Sequence, residues 1–391
     1  MVATVKAEEL GVKTLQYPLC EYDEAILESV KRLGGFENAH THFDRASTLQ
    51  RKYLEHKGID PVQGSSTLTL KDKQNLTGEL HKGAAYTRED LYARMEREVI
   101  KQILMDTRSV TSFVDATPDL EEKGLIAINV AEELREKYKE QIAFQIAVSP
   151  IFGFKDEKAG RWEVYREAAQ KAQVLGGLPE KDDAPDRIGY DEHIKRLLQL
   201  GIELHKEVHL QVDQANDPRE KGTETIIQAV RWLGSPKIDN NDNSPTVWSI
   251  HAISPSGYDD KRFYEMVENL IKYNIGVICC PNAALSMRQL RPIVTPTHNS
   301  IARVLEMAEA GVRVKIGTDN ICDVYIPSGD GSILTEVRTL SNAVRFYVPD
   351  IMAKLGAGKP LNETDKKTIR GTLHTDKESF VALEKELQAS R

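Results

Sequence analysis

The sequence predicts an α/β fold, a single (β/α)8 barrel of the TIM type with extra N- and C-terminal helices, and three observations predict it. From Gly35 onward short β-rich runs alternate with amphipathic helical stretches, the pattern of a parallel sheet joined by crossover helices. The runs are 36–43, 110–115, 143–149, 174–178, 208–213, 247–251, 276–280 and 313–317, and eight is the number a closed barrel needs. Histidine or aspartate stands at the ends of the first, sixth and eighth runs, where barrel enzymes place their chemistry.

Taken in order, 21–33 sets Ala25, Ile26, Leu27, Val30 and Leu33 at helical spacing, and Gly34 and Gly35 end the segment as a C-cap does. After the first strand comes a polar connection, 44–86, containing Gly58, Pro61, Gly64, Gly78 and Gly83. It is too long for a plain βα loop and is expected to cover the barrel mouth. Thr87 to Asp90 reads as a capping box opening a helix that runs to about Asp106. Helical patterns follow at 122–139, 190–206, 221–233, 258–273 and 299–310, and only helices are expected beyond 320. No repeat or composition break marks a second domain. The reading is one barrel domain over 1–391, with strands spanning about 36–320 and C-terminal helices over 333–391.

Composition excludes several classes. Lys+Arg of 52 against Asp+Glu of 60 gives a net charge of -8, so the molecule lacks the positive field that nucleic acid or anionic membranes require. Charges at Lys6, Glu8 and Glu9 stand where a signal peptide needs an apolar run, and no stretch approaches the ~20 apolar residues of a membrane span. A cytoplasmic location is expected, with a small-molecule substrate, no nucleic-acid or membrane partner, and room for a homo-oligomer. Cys20, Cys279, Cys280 and Cys322 form neither a disulfide framework nor CxxC spacing, and read as reduced core residues.

The run Glu37-Asn38-Ala39-His40-Thr41-His42 puts two imidazoles at i and i+2 on a strand, so both point to one face, which inside a barrel is the interior. His251 closes the sixth strand and Asp319 the eighth, so imidazole and carboxylate from three strand ends aim at a common point. The bland alternatives are a hydrogen-bonded core histidine at 251 and a helix cap at 319. A metal held there makes water a usable nucleophile near neutral pH, with Asp319 placed to receive its proton and His251 to stabilise developing charge. The expected cofactor is one divalent metal, zinc or iron.

On these residues the chain resembles the amidohydrolase superfamily, and within it the cytosine deaminases. The resemblance runs from about Phe36 to beyond Pro327 and includes Pro281-Asn282, the 301–311 helix and the run from Gly317 to Pro327. It implies that His40, His42 and Asp319 are metal ligands, that His251 is the catalytic strand-six histidine, and that Asp319 also moves the proton.

Strand five departs from that pattern. The family has a ligand His followed three residues later by a proton-shuttling Glu; the register that keeps Asp213, Asp217 and Glu224-Thr225 in step puts Gln211 and Gln214 there. An amide oxygen still binds a metal, but Gln214 does not titrate. His209, facing the same way as Gln211 but about 6.6 Å deeper, is the alternative ligand. On strand three Ile151 replaces the Gln with which cytosine deaminases read the pyrimidine edge, so cytosine is not the expected substrate. Asp115 and Arg288 are further expected pocket residues. No lysine in 174–179 offers a bridge for a second ion. His56, His81, His193, His205, His298 and His374 read as solvated or packing residues, and Phe113, Trp162 and Trp248 as core or rim. The expected function is metal-dependent hydrolysis of a C–N bond in a small nitrogen heterocycle or cyclic amide, deaminase-like. The alternative is a binding barrel or a lyase that has lost the strand-five His and Glu.

Overall fold

The computed structural model describes residues 19–54, 57–238, 243–287 and 301–389. Eight strands follow one another around a parallel sheet: β1 (Phe36–Thr41), β2 (Thr107–Asp115), β3 (Ala143–Ser149), β4 (Val174–Gly177), β5 (Glu207–Val212), β6 (Val247–His251), β7 (Ile275–Cys279) and β8 (Val314–Ile316). Each is within three residues of the run expected from sequence; β4 and β7 read as unbroken apolar runs, as strands buried on both faces do.

Closure comes from the seam between β8 and β1. Thr41 forms a parallel bridge with Asp319, whose N–H donates to the His40 carbonyl at 2.9 Å. Asn38 and Thr318 exchange a side-chain bond of 3.0 Å and a backbone-to-side-chain bond of 3.2 Å. Gly317 permits this approach: a Cβ there would stand 2.8 Å from His40 Cβ and from its carbonyl oxygen.

Two apolar cores hold the barrel. The outer one joins strands to the surrounding helices. The inner one, containing Ala39, Phe113, Ala147, Trp248, Ile250 and Ile278, fills the interior below the mouth. Trp248 fits there because β7 carries Gly276 beside it, where a Cβ would meet the indole at 2.3 Å.

The helices follow their caps. Thr87 caps Arg88–Leu104 by accepting from the Asp90 N–H, and the N-terminal helix Glu21–Arg32 docks on the C-terminal helices through Tyr22 to Ser341 at 2.7 Å. Beyond β8 only helices follow, Ile333–Val344, Pro349–Gly356 and Glu363–Ala389. The 44–86 connection is not a plain coil: it holds helices Arg51–Leu54, Pro61–Thr67 and Leu70–His81. Its residues Ser65, Ser66, Leu68, Leu70, Lys73 and Gln74 cover the mouth as expected. Among the described residues no helix is long and apolar enough to cross a membrane, and the four cysteines are unpaired, with Cys279 and Cys280 buried.

Candidate metal centre and active site

Strand ends β1, β6 and β8 bring His40, His251 and Asp319 together, with potential ligand atoms all within 4.8 Å of one another. All three are buried, and no ring nitrogen of His40 or His251 has a hydrogen-bond partner in the protein. Buried polar atoms are normally satisfied, so one unpartnered imidazole nitrogen from each of His40 and His251 beside the Asp319 carboxylate fits a cation. Asp319 Oδ1 lies 3.4 Å from His40 Nε2 and 3.1 Å from His42 Nε2. His251, Ala252 and Asp319 all adopt left-handed backbone, φ 80°, 47° and 56°, the strain that bends each chain across the mouth.

Electrostatics set the protonation. Burial pushes His42 down to about 3, aided by Arg45, and His251 down to about 4, so both are neutral imidazoles at physiological pH, the form that binds metals. Burial alone would raise Asp319, but the imidazoles of His40 and His42 outweigh it and keep the carboxyl ionised.

His42, an expected ligand beside Asp319, also meets a cation of the protein itself. Arg45 Nη2 sits 2.7 Å from its Nδ1 and 3.1 Å from its Nε2, and Arg45 is itself held by Asn320 Oδ1 at 3.1 Å and Asp115 at 3.4 Å. Arg45 is 3% exposed and lines the cavity, so a fixed positive charge stands at the site's edge. The sequence reading missed it, although it lies in the same run as the two histidines.

A cavity of about 390 Å³ opens above the cluster, sized for a small molecule. Gln211, Gln214, Ile151, His251 and Asp319 line it, together with Arg45, Gln74, Asn320 and Tyr325. His209 does not: its Nε2 pairs with Glu207 at 3.0 Å beside Trp248, deep in the barrel. Asp115 corrects the expectation of a substrate contact. It lies behind Arg45 and outside the cavity lining, its Oδ2 shared by Arg45, by His81 at 3.2 Å and by Tyr86 at 3.3 Å. Arg288, His56 and His298 lie outside the described residues. His81 and His193 prove buried, His81 between Asp115 and Asp119 and His193 on Asp182 at 2.7 Å. Phe113 packs edge-on to His40, centroids 4.5 Å apart, buttressing a ligand rather than stacking a substrate.

No family model matches the chain. An uncharacterized protein from Haemophilus influenzae is 28% identical over 282 residues, covering 72% of this chain and 93% of that one. A pterin deaminase from Rhizobium rhizogenes is 23% identical over 80% of this chain, and an N-isopropylammelide isopropyl amidohydrolase from Pseudomonas sp. is 20% identical over 77%. The chain spans 64% and 66% of the lengths of the two named enzymes. The barrel fold is shared with a 5-methylcytosine deaminase from Klebsiella pneumoniae, TM-score 0.67 at 20% identity, covering 86% of this chain and 82% of that one. A guanine deaminase from C. acetobutylicum superposes with TM-score 0.53 at 13% identity, over 83% and 72%.

Proposed function

We propose that the chain is a metal-dependent hydrolase of a C–N bond in a small nitrogen heterocycle or cyclic amide, releasing ammonia or an amine. The observation that carries it is the cluster of unpartnered imidazoles on an ionised aspartate, at the C-terminal end of the barrel and under a small-molecule cavity. The named relatives, a pterin deaminase and an isopropylammelide amidohydrolase, support the same chemistry.

In this reading His40 and Asp319 hold a divalent ion, zinc or iron. His251, within 4.8 Å of both, and His42, 3.1 Å from Asp319 Oδ1, would stand beside it, and Gln211 would offer an amide oxygen. The ion supplies Lewis acidity and makes an attacking water available near neutral pH. Asp319 takes the proton of that water as the C–O bond forms, and returns it to the leaving nitrogen as the C–N bond breaks. Its backbone, pinned to His40, fixes the carboxylate for both transfers. Gln214, which cannot titrate, takes no part in moving the proton. Ile151 removes a hydrogen-bonding partner that a cytosine reader needs, which argues against that base.

The test is elemental analysis of the purified protein, followed by ammonia and amine release over a panel of amino-substituted nitrogen heterocycles and cyclic amides. About one divalent ion per chain and release from at least one compound are expected. A metal-replete protein that releases nothing overturns the hydrolase reading, and a protein that stays metal-free after growth with zinc and iron overturns the ion.

A further inference from the structure

Glu180 lies on the turn Pro179–Asp182 after β4, behind the cavity wall and apart from the ligand cluster. Its Oε1 accepts from Gln74 Nε2 at 2.6 Å, and its Oε2 from Gln214 Nε2 at 3.2 Å. The two glutamines come from different parts of the chain, one on the covering helix Leu70–His81 and one just beyond β5. Both line the cavity and both are buried, 6% and 8% exposed. A carboxylate only accepts hydrogen bonds, while a carboxamide donates from nitrogen and accepts at oxygen. Each amide therefore turns its nitrogen to Glu180, and its carbonyl oxygen is left out of that contact. A glutamine without such a partner rotates to present either group; these two would leave a carboxylate oxygen unsatisfied if they did.

We propose that Glu180 is a positioning residue for substrate choice: by holding Gln74 and Gln214 nitrogen-inward it makes that wall of the cavity a double acceptor, selecting heterocycles with two neighbouring N–H donors on one edge. The chemical class is a ring with a cyclic N–H beside an exocyclic amino group. A ring that sets a donor beside an acceptor forces one lone pair against another. The inference rests on reading the cavity as a site for a small nitrogen heterocycle, and it gives Gln214 a role that needs no proton.

Binding tests it, with any turnover followed separately as ammonia release. The metal-loaded protein is titrated calorimetrically with 2-amino-4-oxopyrimidine and with its isomer 4-amino-2-oxopyrimidine. The first carries an amino group beside a ring N–H in either of its lactam forms; the second, in its usual form, has no such edge. The wild-type protein is expected to favour the first by about tenfold or more. Glu180→Gln, which replaces one acceptor with a donor, should reduce that preference to near parity, and Gln74→Leu, a change on the covering helix, should do the same should the first variant fold poorly. Equal binding of the isomers by wild type, binding of neither, or a preference unchanged in both variants overturns the proposal. A preference that behaves as expected while neither ring is hydrolysed supports the clamp and counts against the hydrolase reading alone.

Discussion

Asp319 carries two demands at once, holding the ion and moving the proton, and only its ionised form meets both. Asp319→Asn keeps size and the backbone bond to His40, so it should melt within a few degrees of wild type while losing turnover by about 100-fold or more. Retention of more than a few per cent of the rate would remove the proton role. Strand five poses the opposite question, since Gln211 faces the cavity and His209 is spent on Glu207. Gln211→His should bind metal at least as tightly as wild type, and His209→Ala should cost packing but little metal. Metal content of the two variants, purified side by side, decides between them; a metal-free His209→Ala with a metal-replete Gln211→Ala would reverse the assignment. The histidines and Asp319 were legible because strand alternation and strand ends are local signals. Arg45's grip on His42 and Glu180's on two distant glutamines were not, because each depends on contacts no sequence spacing encodes.

The seam between β1 and β8 is the element on which the site depends, because His40 and Asp319 flank it and each fixes the other's backbone. Gly317→Ala would drive a methyl into His40 backbone atoms that cannot swing aside, at 2.8 to 2.9 Å. The expected cost is roughly 1–3 kcal/mol of stability, together with a clear fall in bound metal. Unchanged metal content in a destabilised Gly317→Ala would show that the seam and the site are independent. The eight strands could be read from sequence because short β-rich runs, some wholly apolar such as Ile275–Cys279, alternate with helical stretches. The helices of 44–86 could not. Two of the three are short, and Gly64 and Gly78 stand inside helices, so their periodicity is weak against a background of turn residues. Asp115, at the end of β2, was readable as a strand end but not as to which neighbour would claim it.

At the scale of the molecule, the cover formed by 44–86 is fastened to the barrel partly through one buried histidine. His81 ends the covering helix and bonds Asp119 at 3.0 Å and Asp115 at 3.2 Å, and Asp115 in turn steadies Arg45 at the site. Burial works to lower the pKa of His81, but the two carboxylates outweigh it and push it up to about 9. A group whose pKa is raised on folding stabilises the protein fully below its unfolded value, about 6.5 for histidine, and loses that contribution as pH rises through the folded value. The window is therefore pH 6.5 to 9, and for a residue 6% exposed the contribution is on the order of 3 kcal/mol. Other buried groups titrate nearby, among them Glu220 and Asp323, each pushed up to about 7 chiefly by burial, and Glu336, pushed up to about 8 the same way; these also weaken the fold as pH rises. The wild-type slope alone thus cannot assign the effect, but the difference between wild type and His81→Gln can. Urea unfolding at pH 6.5 and at pH 9.5 should show wild type losing clearly more stability than the variant over that interval. Parallel losses in the two proteins would mean that His81 is held neutral and that the cover is fastened by packing alone.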